Sequence, residues 1–384
     1  MAQSVGGNSN GALAASTFVG LGWLGKTCLV LGSTAVGGCC VLVARHIGRV
    51  VMARRQLRLL LADVAGEEAR IVITGATNGI GLELARQLNR HPAVTLLLGC
   101  RDVARAERLF PIARQPPAQE EPELEGTARD SSAPAPLPKV RIVRLELLDL
   151  DSVQNFTDEA HDFLRGGGVG LRLLVNNAGI MRPPPGSSAS GMDATWQTNF
   201  LAPFLLTELL ARRRATDRVK HVVRVVQVSS RLERRSALSE ELLAEVARGE
   251  PGTNPYADSK RALMLWTSVR AQSFAFRSSA FVHCATPGVV DSDLGRYAMS
   301  PWLWFLTKPL RMAMLRPPAE GAVGVVAAAL RPQAVEHFGR YYDGERQLED
   351  LVLDRMGEKK FANALVKWAT ERTALDARAA GYDR

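Results

Sequence analysis

The chain has 384 residues, 46% of them apolar, and a formal net charge of +9. This length and apolar content predict a single large α/β domain with additions. Six of the nine net positive charges precede Asp63, the first acidic residue, so the 322 residues from Asp63 onward carry a net charge of +3. A basic leader joined to a near-neutral domain is not the charge distribution of a protein that binds nucleic acid.

Five cysteines are present, and none belongs to a CxxC pair or a Cys/His cluster: Cys28, Cys39, Cys40, Cys100 and Cys284. Their spacing supports neither a disulfide framework nor a zinc site, and no other metal site is predicted. Cys100 and Cys284 lie in apolar runs, which indicates small core side chains. The chain is compatible with a reducing compartment.

The leader is apolar and free of acidic residues. Between Ala12 and Ala44 only Lys26 is charged, and one helix across a bilayer needs about 17–25 apolar residues. Basic residues follow from Arg45 to Arg58, so the positive-inside rule places the rest of the chain in the cytosol, with the endoplasmic reticulum favoured. A mitochondrial presequence, or packing of the segment on the domain, is the alternative. We assign residues 1–62 to this membrane anchor and its basic flank, and expect the fold to form without residues 1–54.

After the leader, short apolar runs alternate with segments of helical period. The runs predict buried strands at 70–75, 94–98, 140–147, 171–176, 221–229 and 280–285. The clearest helical stretches are Ala194–Ala211 and Tyr256–Phe274. Strands that alternate with helices are typical of a parallel, doubly wound sheet, so residues 63–384 are predicted to form a Rossmann-type α/β domain.

The segment Pro111–Pro138 interrupts this alternation. It is rich in Pro, Ala and acidic residues and has no apolar period. Such a composition predicts a disordered surface insertion between a helix and the third strand. Partner binding by this segment is a second interpretation, which the composition favours less.

A glycine-rich turn joins the first strand to the first helix of the domain. The sequence Thr74-Gly-Ala-Thr-Asn-Gly-Ile-Gly81 places glycines where the backbone must turn tightly and approach a pyrophosphate, and the helix amino terminus adds amide donors. Its TGxxxGxG spacing resembles that of the short-chain dehydrogenase/reductase family. The resemblance implies dinucleotide contacts from Gly75, Thr77, Asn78, Gly79, Ile80 and Gly81.

Residues at the ends of the second and third strands bear on which dinucleotide binds. Arg101 lies about 20 residues past the glycines, where an acidic residue would hold the ribose of NAD and an arginine accommodates the 2′-phosphate of NADP. NADP, as NADPH, is therefore favoured over NAD. Asp102 is explained as the cap of the next helix. Asp149 matches the family position that touches adenine, and a helix cap is its other interpretation.

Two further segments resemble the family around the cofactor. Asn176-Asn-Ala-Gly179 ends the fourth strand and resembles the family's NNAG segment, so Asn177, Ala178 and Gly179 are expected beside the cofactor. Pro287-Gly-Val-Val-Asp-Ser-Asp-Leu-Gly-Arg296 resembles the loop that covers the nicotinamide, which implies contacts from Pro287, Gly288 and Val289.

The catalytic residues occur in the family's order along the chain. Asn199 follows the NNAG segment, Ser229-Ser230 ends the fifth strand, and Tyr256-Ala-Asp-Ser-Lys260 begins a helix, on which Tyr and Lys four residues apart share one face. The resemblance extends over roughly residues 68–372, and the long spacing between Ser230 and Tyr256 resembles that of retinol dehydrogenase-like members.

The resemblance implies a role for each member of this tetrad. Tyr256 is the general acid/base; because free tyrosine has a pKa of about 10, it needs a neighbouring ammonium to form a phenolate near neutral pH. Lys260 supplies that charge and holds the nicotinamide ribose. Ser230, rather than Ser229, hydrogen-bonds the substrate oxygen. Asn199 positions a water in the proton relay.

An apolar segment follows where this family carries its substrate lid. Pro301-Trp-Leu-Trp-Phe-Leu306, followed by Lys308 and Arg311, is interpreted either as the lining of a pocket for a lipid-like substrate that rests on a bilayer, or as a lid helix packed on the core. Ala202-Pro203 replaces a usual Gly-His and Ser292 a common Thr, which bears on substrate fit more than on hydride transfer.

Together these features predict an NADP-dependent oxidoreductase that transfers a hydride between the nicotinamide and an apolar alcohol or carbonyl of the retinoid, steroid or fatty aldehyde class. The alternatives are a catalytically silent cofactor-binding scaffold or regulator, and a reductase of carbon–carbon double bonds. A scaffold has no chemical need for all four tetrad residues. The expected partners are the apolar substrate and a membrane, and a homo-oligomer is left open.

Overall fold

The computed structural model describes residues 41–61, 68–111, 139–168, 170–184, 188, 190–217, 222–295, 300–330, 339–343, 346–350 and 356–380. Residues 12–40 of the predicted anchor and residues 112–138 of the predicted insertion lie outside these ranges. The two predictions therefore concern residues that are not described.

One sheet of eight strands runs through the described part of the chain, in the order β3-β2-β1-β4-β5-β6-β7-β8. The strands are β1 Ala69–Thr74, β2 Val94–Cys100, β3 Val140–Arg144, β4 Arg172–Asn176, β5 Val223–Val228, β6 Ala280–Thr286, β7 Arg340–Asp343 and β8 Arg346–Asp350. β1 to β7 pair in parallel, and β8 pairs with β7 in the antiparallel sense. The predicted doubly wound parallel sheet is confirmed, and β8 is an addition that the sequence did not predict.

The described helices connect the strands and cover both faces of the sheet. They are α1 (41–61), α2 Gly79–Leu88, α3 Val103–Leu109, α4 Leu150–Arg165, α5 (Ala194–Trp196, Gln197–Leu201 and Ala202–Ala215 in succession), α6 Glu240–Ala247, α7 Pro255–Gln272, α8 Phe274–Arg277, α9 Pro301–Leu306, α10 Lys308–Met314, α11 Pro318–Leu330, α12 Met356–Arg372 and α13 Leu375–Ala379. The middle segment of α5 is a π-helical turn.

Helices cover both faces of the sheet. The strands of the sheet are therefore buried on both sides and contain nearly continuous apolar runs. In β1, Val72 belongs to the core on one face, whereas Ile71 and Ile73 belong to the core on the other. The first core contains aromatic side chains of α5 and α7, among them Phe204 and Trp266, whose ring centroids are 5.7 Å apart. The second is built with α1, α2 and α11. These two cores hold the sheet in place. The site lies at the carboxyl edge of this sheet.

Helix α1 contains the whole basic segment from Arg45 to Arg58. Its side chains Ala53, Leu57 and Leu61 are buried in the second core, and Leu57 is 0% exposed. Arg49 forms an ion pair with Glu320 of α11 at 2.7 Å, and Arg54 forms one with Glu83 of α2 at 2.6 Å. Residues 49–54 thus contact the rest of the domain, and the formation of the fold without residues 1–54 stays a prediction.

The predicted membrane span reaches the described residues only at its carboxyl end, where residues 41–44 form the start of α1. Within the described ranges, no helix has both the length and the apolar character that crossing a bilayer requires.

The order of the strands determines where a ligand site can form. The strand order reverses between β1 and β4, which are neighbours in the sheet although β2 and β3 separate them in the chain. In open α/β sheets, ligands bind at the carboxyl ends of the strands beside this reversal. The glycine turn after β1 and the Asn176–Gly179 segment after β4 flank it.

Candidate active site

The glycine turn between β1 and α2 has a backbone that only glycine accommodates at two points. Gly75 has φ of +70°, in the left-handed region that favours glycine. A Cβ at Gly81 would lie 2.4 Å from Nδ2 of Asn177 and 2.5 Å from the carbonyl oxygen of Gly75. The turn therefore brings the start of α2 against β1 and β4 and directs the first amides of α2 toward the carboxyl edge of the sheet. A dinucleotide diphosphate fits such a cradle.

The ends of β1 and β4 are joined by hydrogen bonds between the two predicted cofactor segments. The amides of Asn177 and Ala178 both donate to Oγ1 of Thr74, at 3.1 Å each. The side chain of Asn177 donates to the carbonyl oxygens of Thr74 and Gly75 at 3.0 and 3.2 Å. The NNAG segment thus holds the glycine turn in place from the neighbouring strand.

The end of β2 presents Arg101 as an exposed side chain. Asp102 caps α3, because its carboxylate accepts a hydrogen bond of 2.8 Å from the amide of Arg105. Asp149 is likewise the cap of α4 and accepts from the amide of Asp151 at 2.9 Å. Both aspartates thus have the capping role considered from the sequence, and a contact of Asp149 with adenine stays a prediction.

Tyr256 and Ser230 meet at the carboxyl end of β5. Tyr256 lies in the first turn of α7, where Asn254 caps the helix with its side chain. The tyrosine is 7% exposed. Burial raises the pKa of the Tyr256 hydroxyl, and the hydrogen bond from Ser230 lowers it by less. The phenol is therefore held in its protonated form at neutral pH.

Lys260 lies one helical turn after Tyr256 and is 4% exposed. Its Nζ donates a hydrogen bond of 2.8 Å to the carbonyl oxygen of Val228, the last residue of β5, and lies 6.0 Å from the centroid of the Tyr256 ring. Burial lowers the pKa of the Lys260 ammonium to about 8. The ammonium therefore still carries its charge at neutral pH, beside the phenol.

Asn199 lies within the π-helical turn of α5. Such turns are rare and occur often at functional sites. Its side-chain amide pairs with both backbone groups of Ile180: Oδ1 accepts from the amide at 2.9 Å, and Nδ2 donates to the carbonyl at 3.0 Å. Nδ2 also donates to Oγ of Ser259 at 3.2 Å. Asn199 thus links the segment after β4 to α7.

Gly179 lies between two members of the predicted tetrad. A Cβ at this position would be 3.2 Å from Oδ1 of Asn199 and 3.6 Å from Nζ of Lys260. The structure therefore brings Asn199 and Lys260 together beside Gly179 of the NNAG segment. Tyr256 lies one turn before Lys260 on the same helix. Ser229, directly after β5, is 3% exposed.

The loop after β6 covers the glycine turn. A Cβ at Gly79 would lie 3.0 Å from Cβ of Ser292, and the Asn78 side chain donates to the carboxylate of Asp293. Ile80 of the glycine turn packs closely against Gly321 of α11, where an added Cβ would lie 3.0 Å from Cγ1 of Ile80. Val289 is 68% exposed. The loop therefore lies against the glycine turn, and contacts of Pro287, Gly288 and Val289 with a cofactor stay a prediction.

A cavity of about 520 Å³ opens between α2 and the lid helices α9 and α10. Its lining includes Asn78 and Gly79 of the glycine turn, and Trp304, Phe305 and Lys308 of the lid. Ser230, Tyr256 and Lys260 are not among its lining residues. The cavity thus lies on the outer side of the glycine turn, and it borders the predicted diphosphate position rather than the catalytic groups.

Sequence reasoning missed several residues that shape this site. Ser259 contacts Asn199, the carbonyl of Val228 binds Lys260, and Asp343 at the end of β7 forms ion pairs with Arg231 and Arg316. The position of Asp343 at a strand end was the only signal available. Its partners are distant in the chain and could be identified only from the fold.

Comparison with known proteins finds relatives that match most of the chain. The family model described as short chain dehydrogenase matches residues 118–301. Human retinol dehydrogenase 14 is 30% identical over 333 residues, which cover 84% of this chain and 91% of that protein. Mouse polyprenol dehydrogenase is 31% identical over 323 residues, which cover 81% and 88%.

A solved structure of an uncharacterised protein from Mycobacterium paratuberculosis has the same fold. Its TM-score is 0.52 at 23% identity, over 81% of this chain and 97% of that one. The predicted resemblance to retinol dehydrogenase-like proteins and the prediction of an enzyme are both confirmed. The chain is an oxidoreductase and belongs to the short-chain dehydrogenase/reductase family.

Proposed function

We propose that this enzyme transfers a hydride between NADP(H) and an apolar alcohol or carbonyl compound, with Tyr256 as the general acid/base. The observation that carries the proposal is the group formed by Ser230 and the buried side chains of Tyr256 and Lys260 at the carboxyl end of β5. Burial raises the pKa of the Tyr256 hydroxyl and a hydrogen bond with Ser230 lowers it by less, while the Lys260 ammonium lies 6.0 Å from the tyrosine ring. This group supplies a proton donor, a hydrogen-bond donor for an oxygen, and a positive charge.

In the direction of reduction, NADPH supplies the hydride when it is bound. The Tyr256 hydroxyl gives its proton to the carbonyl oxygen, and Ser230 donates a hydrogen bond to the same oxygen. Burial raises the pKa of Tyr256, so the phenol is protonated and ready to act as the acid. Lys260 stabilises the phenolate that remains, and Asn199 fixes the backbone of Ile180 beside these groups.

NADP is the dinucleotide that the chemistry of the β2 end favours. Arg101 is exposed and can approach a 2′-phosphate, whereas the carboxylate of Asp102 already accepts a hydrogen bond from α3. The glycine turn with Gly75 and Gly81 would hold the diphosphate, and Asn177 to Gly179 would lie along the nicotinamide half. Pro287, Gly288 and Val289 would close the site from the loop after β6.

The substrate class is proposed from the lid and from the relatives. Five large apolar side chains of α9 and α10 are more than half exposed: Trp302, Phe305, Leu306, Leu310 and Met314. Two relatives are named for retinol and polyprenol, which are apolar alcohols. We therefore propose a retinoid, steroid or fatty aldehyde substrate that reaches the site past this lid.

Attachment to a membrane is part of the same proposal. Ala12–Ala44 would cross the bilayer once, residues 63–384 would form the cytosolic catalytic domain with α1 packed on it, and the exposed lid would rest on the lipid surface. The measurement is carbonate extraction of microsomes that contain the full chain, together with protease digestion of sealed microsomes. Extraction by carbonate would contradict the anchor. A shortened chain inside mitochondria would favour the presequence.

The activity is tested with purified full-length protein, NADPH, and a panel of retinal, steroid ketones and fatty aldehydes. Tyr256→Phe is the matched variant, since it removes one hydroxyl and leaves the ring in its buried position. General acid–base groups contribute about 10²–10⁴ in rate, so we expect a loss in this range with NADPH binding nearly unchanged. Normal turnover by a folded Tyr256→Phe protein would contradict the role of Tyr256.

The same panel separates the alternatives. A scaffold would bind NADPH, as followed by its fluorescence, and would reduce none of the substrates. A double-bond reductase would saturate an enone and leave its carbonyl intact, which product analysis detects. The proposed function requires an alcohol product.

A further inference from the structure

Three neighbouring strands end beside the catalytic group. The parallel register aligns Val228 of β5 with Ala285 of β6, and Thr286 of β6 with Asp343 of β7. The serine segment that contains Ser230, the loop that begins at Pro287, and Asp343 therefore follow one another along the same edge of the sheet.

An ion pair crosses this edge from the first of these strands to the third. Arg231, the residue after Ser230, pairs with the carboxylate of Asp343. Adjacent strands lie about 4.8 Å apart, so the pair joins elements about 10 Å apart and passes over the end of β6. The Asp343 side chain is 4% exposed, whereas Arg231 is 54% exposed. The carboxylate is thus the buried member of the pair.

A second arginine joins Asp343 to the loop after β6. Nη1 of Arg316 lies 3.4 Å from Oδ1 of Asp343 and donates to the carbonyl oxygen of Pro287 at 3.3 Å. The backbone of Arg316 also pairs with this loop: its amide donates to Val289 O, and its carbonyl accepts from the amide of Asp291, both at 2.9 Å. Arg316 therefore holds the loop through its side chain and its backbone.

Gly288 shows how closely the guanidinium and the loop approach each other. This glycine has φ of +76°, and a Cβ there would lie 2.8 Å from Nη1 of Arg316. Residue 288 must therefore be a glycine for the loop and the guanidinium of Arg316 to approach each other this closely. Asp343 is the carboxylate on which both Arg231 and Arg316 converge.

We propose that Asp343 is a positioning residue, which fixes the Ser230 segment and the Pro287–Asp291 loop relative to each other through Arg231 and Arg316. The inference rests on the proposed function, because it assigns those two segments to substrate and cofactor. Without the carboxylate, two guanidinium groups would face each other with no anion between them. The two segments would then lose their common attachment, and misplacement by about 1 Å costs up to about 100-fold in rate.

The test compares Asp343→Asn with Asp217→Asn in the full-length enzyme. Asp217 is a suitable control, because it is also largely buried and pairs with Arg214 and His161 after the end of α5, at the amino edge of the sheet. For Asp343→Asn we expect kcat to fall between about 10- and 100-fold, and amide hydrogen exchange at Asp291 and Arg316 to rise at least tenfold. Asp217→Asn should change neither quantity more than twofold.

Two results would overturn the proposal. One is an Asp343→Asn enzyme with the exchange and the kcat of the wild type; the other is an Asp217→Asn enzyme that loses both in the same way, since this would indicate only general destabilisation. The conservative variant Arg316→Lys should retain more activity than Arg316→Ala, because the ammonium keeps the charge opposite Asp343. If the wild type turned over no substrate, the proposed function would fail, and hydrogen exchange would still decide the role of Asp343.

Discussion

The buried pair of Tyr256 and Lys260 makes a specific prediction about pH. The pKa of Lys260 is lowered to about 8 by burial, from an ordinary value of 10.5. At pH 7 the ammonium form therefore exceeds the neutral amine by about tenfold, and at pH 9 the ratio is reversed. The pKa of Tyr256 is raised, so its phenol stays protonated through this range. If reductive activity falls between pH 7 and pH 9, the expected cause is therefore the deprotonation of Lys260.

We expect kcat/KM for NADPH-dependent reduction to be constant up to about pH 7.5 and to fall about tenfold for each unit above pH 8. This parameter is the correct one, because it reports the ionisation of groups in the free enzyme. Initial rates would be measured from pH 6 to 10 with one carbonyl substrate. Protein that has been held at each pH and returned to pH 7 controls for inactivation.

The matched variant is Lys260→Arg. A guanidinium stays charged across the whole range, so this variant should have a lower plateau but no decline above pH 8. A wild-type rate that is constant to pH 10 would refute the reasoning. So would an identical decline in Lys260→Arg, since the titrating group would then be another residue.

Three further predictions concern stability and cofactor binding. Leu57→Ala should cost about 2–5 kcal/mol in the free energy of unfolding, because Leu57 is fully buried, whereas Leu59→Ala on the exposed side of α1 should change it by less than about 0.5 kcal/mol in chemical denaturation. Arg101→Ala should raise KM for NADPH and hardly change KM for NADH; a wild type that prefers NADH would contradict the NADP assignment. Gly81→Ala should abolish saturable NADPH binding in fluorescence titration, because its Cβ would overlap Asn177, while Gly48→Ala, with no atom within 4 Å, should bind normally.

The sheet could be predicted because its strands are buried on both faces. Strands β1 and β6 contain apolar runs with few interruptions, and such runs are recognisable without knowledge of their partners. Strand β8, Arg346–Asp350, has three charged residues among five and lies at the edge of the sheet. It has no apolar run, so its pairing with β7 could not be inferred from the sequence.

Helix α1 was missed for a different reason. Its core-facing positions, which are the partly buried Val50 and the buried Ala53, Leu57 and Leu61, are three or four residues apart, which is the period of a helix with one apolar face. The arginines between them suggested a flank of a membrane span. In the structure, Arg49 forms an ion pair with α11 and Arg54 forms one with α2. Charge composition alone could not separate the two interpretations, because both place arginine after an apolar segment.

The candidate site was predictable in its residue types and less so in its connections. The order of Asn199, Ser230, Tyr256 and Lys260 identified the groups, and the fold brings them to one edge of the sheet. Their supports depend on tertiary contacts instead. The Arg231–Asp343 pair joins residues that are far apart in the chain, and its geometry follows from the order β5-β6-β7.

The contacts of α1 also constrain how a membrane anchor would hold the enzyme. The predicted span ends at Ala44, and His46 already contacts the carbonyl oxygen of Met312 in α10 at 3.2 Å. Two residues of helix correspond to about 3 Å, so no flexible spacer would separate the proposed span from α10. The headgroup layer is about 5–7 Å thick on each side, which would place α10 with its exposed Leu310 and Met314 at that depth. An apolar substrate dissolved in the bilayer would then reach the lid without crossing water.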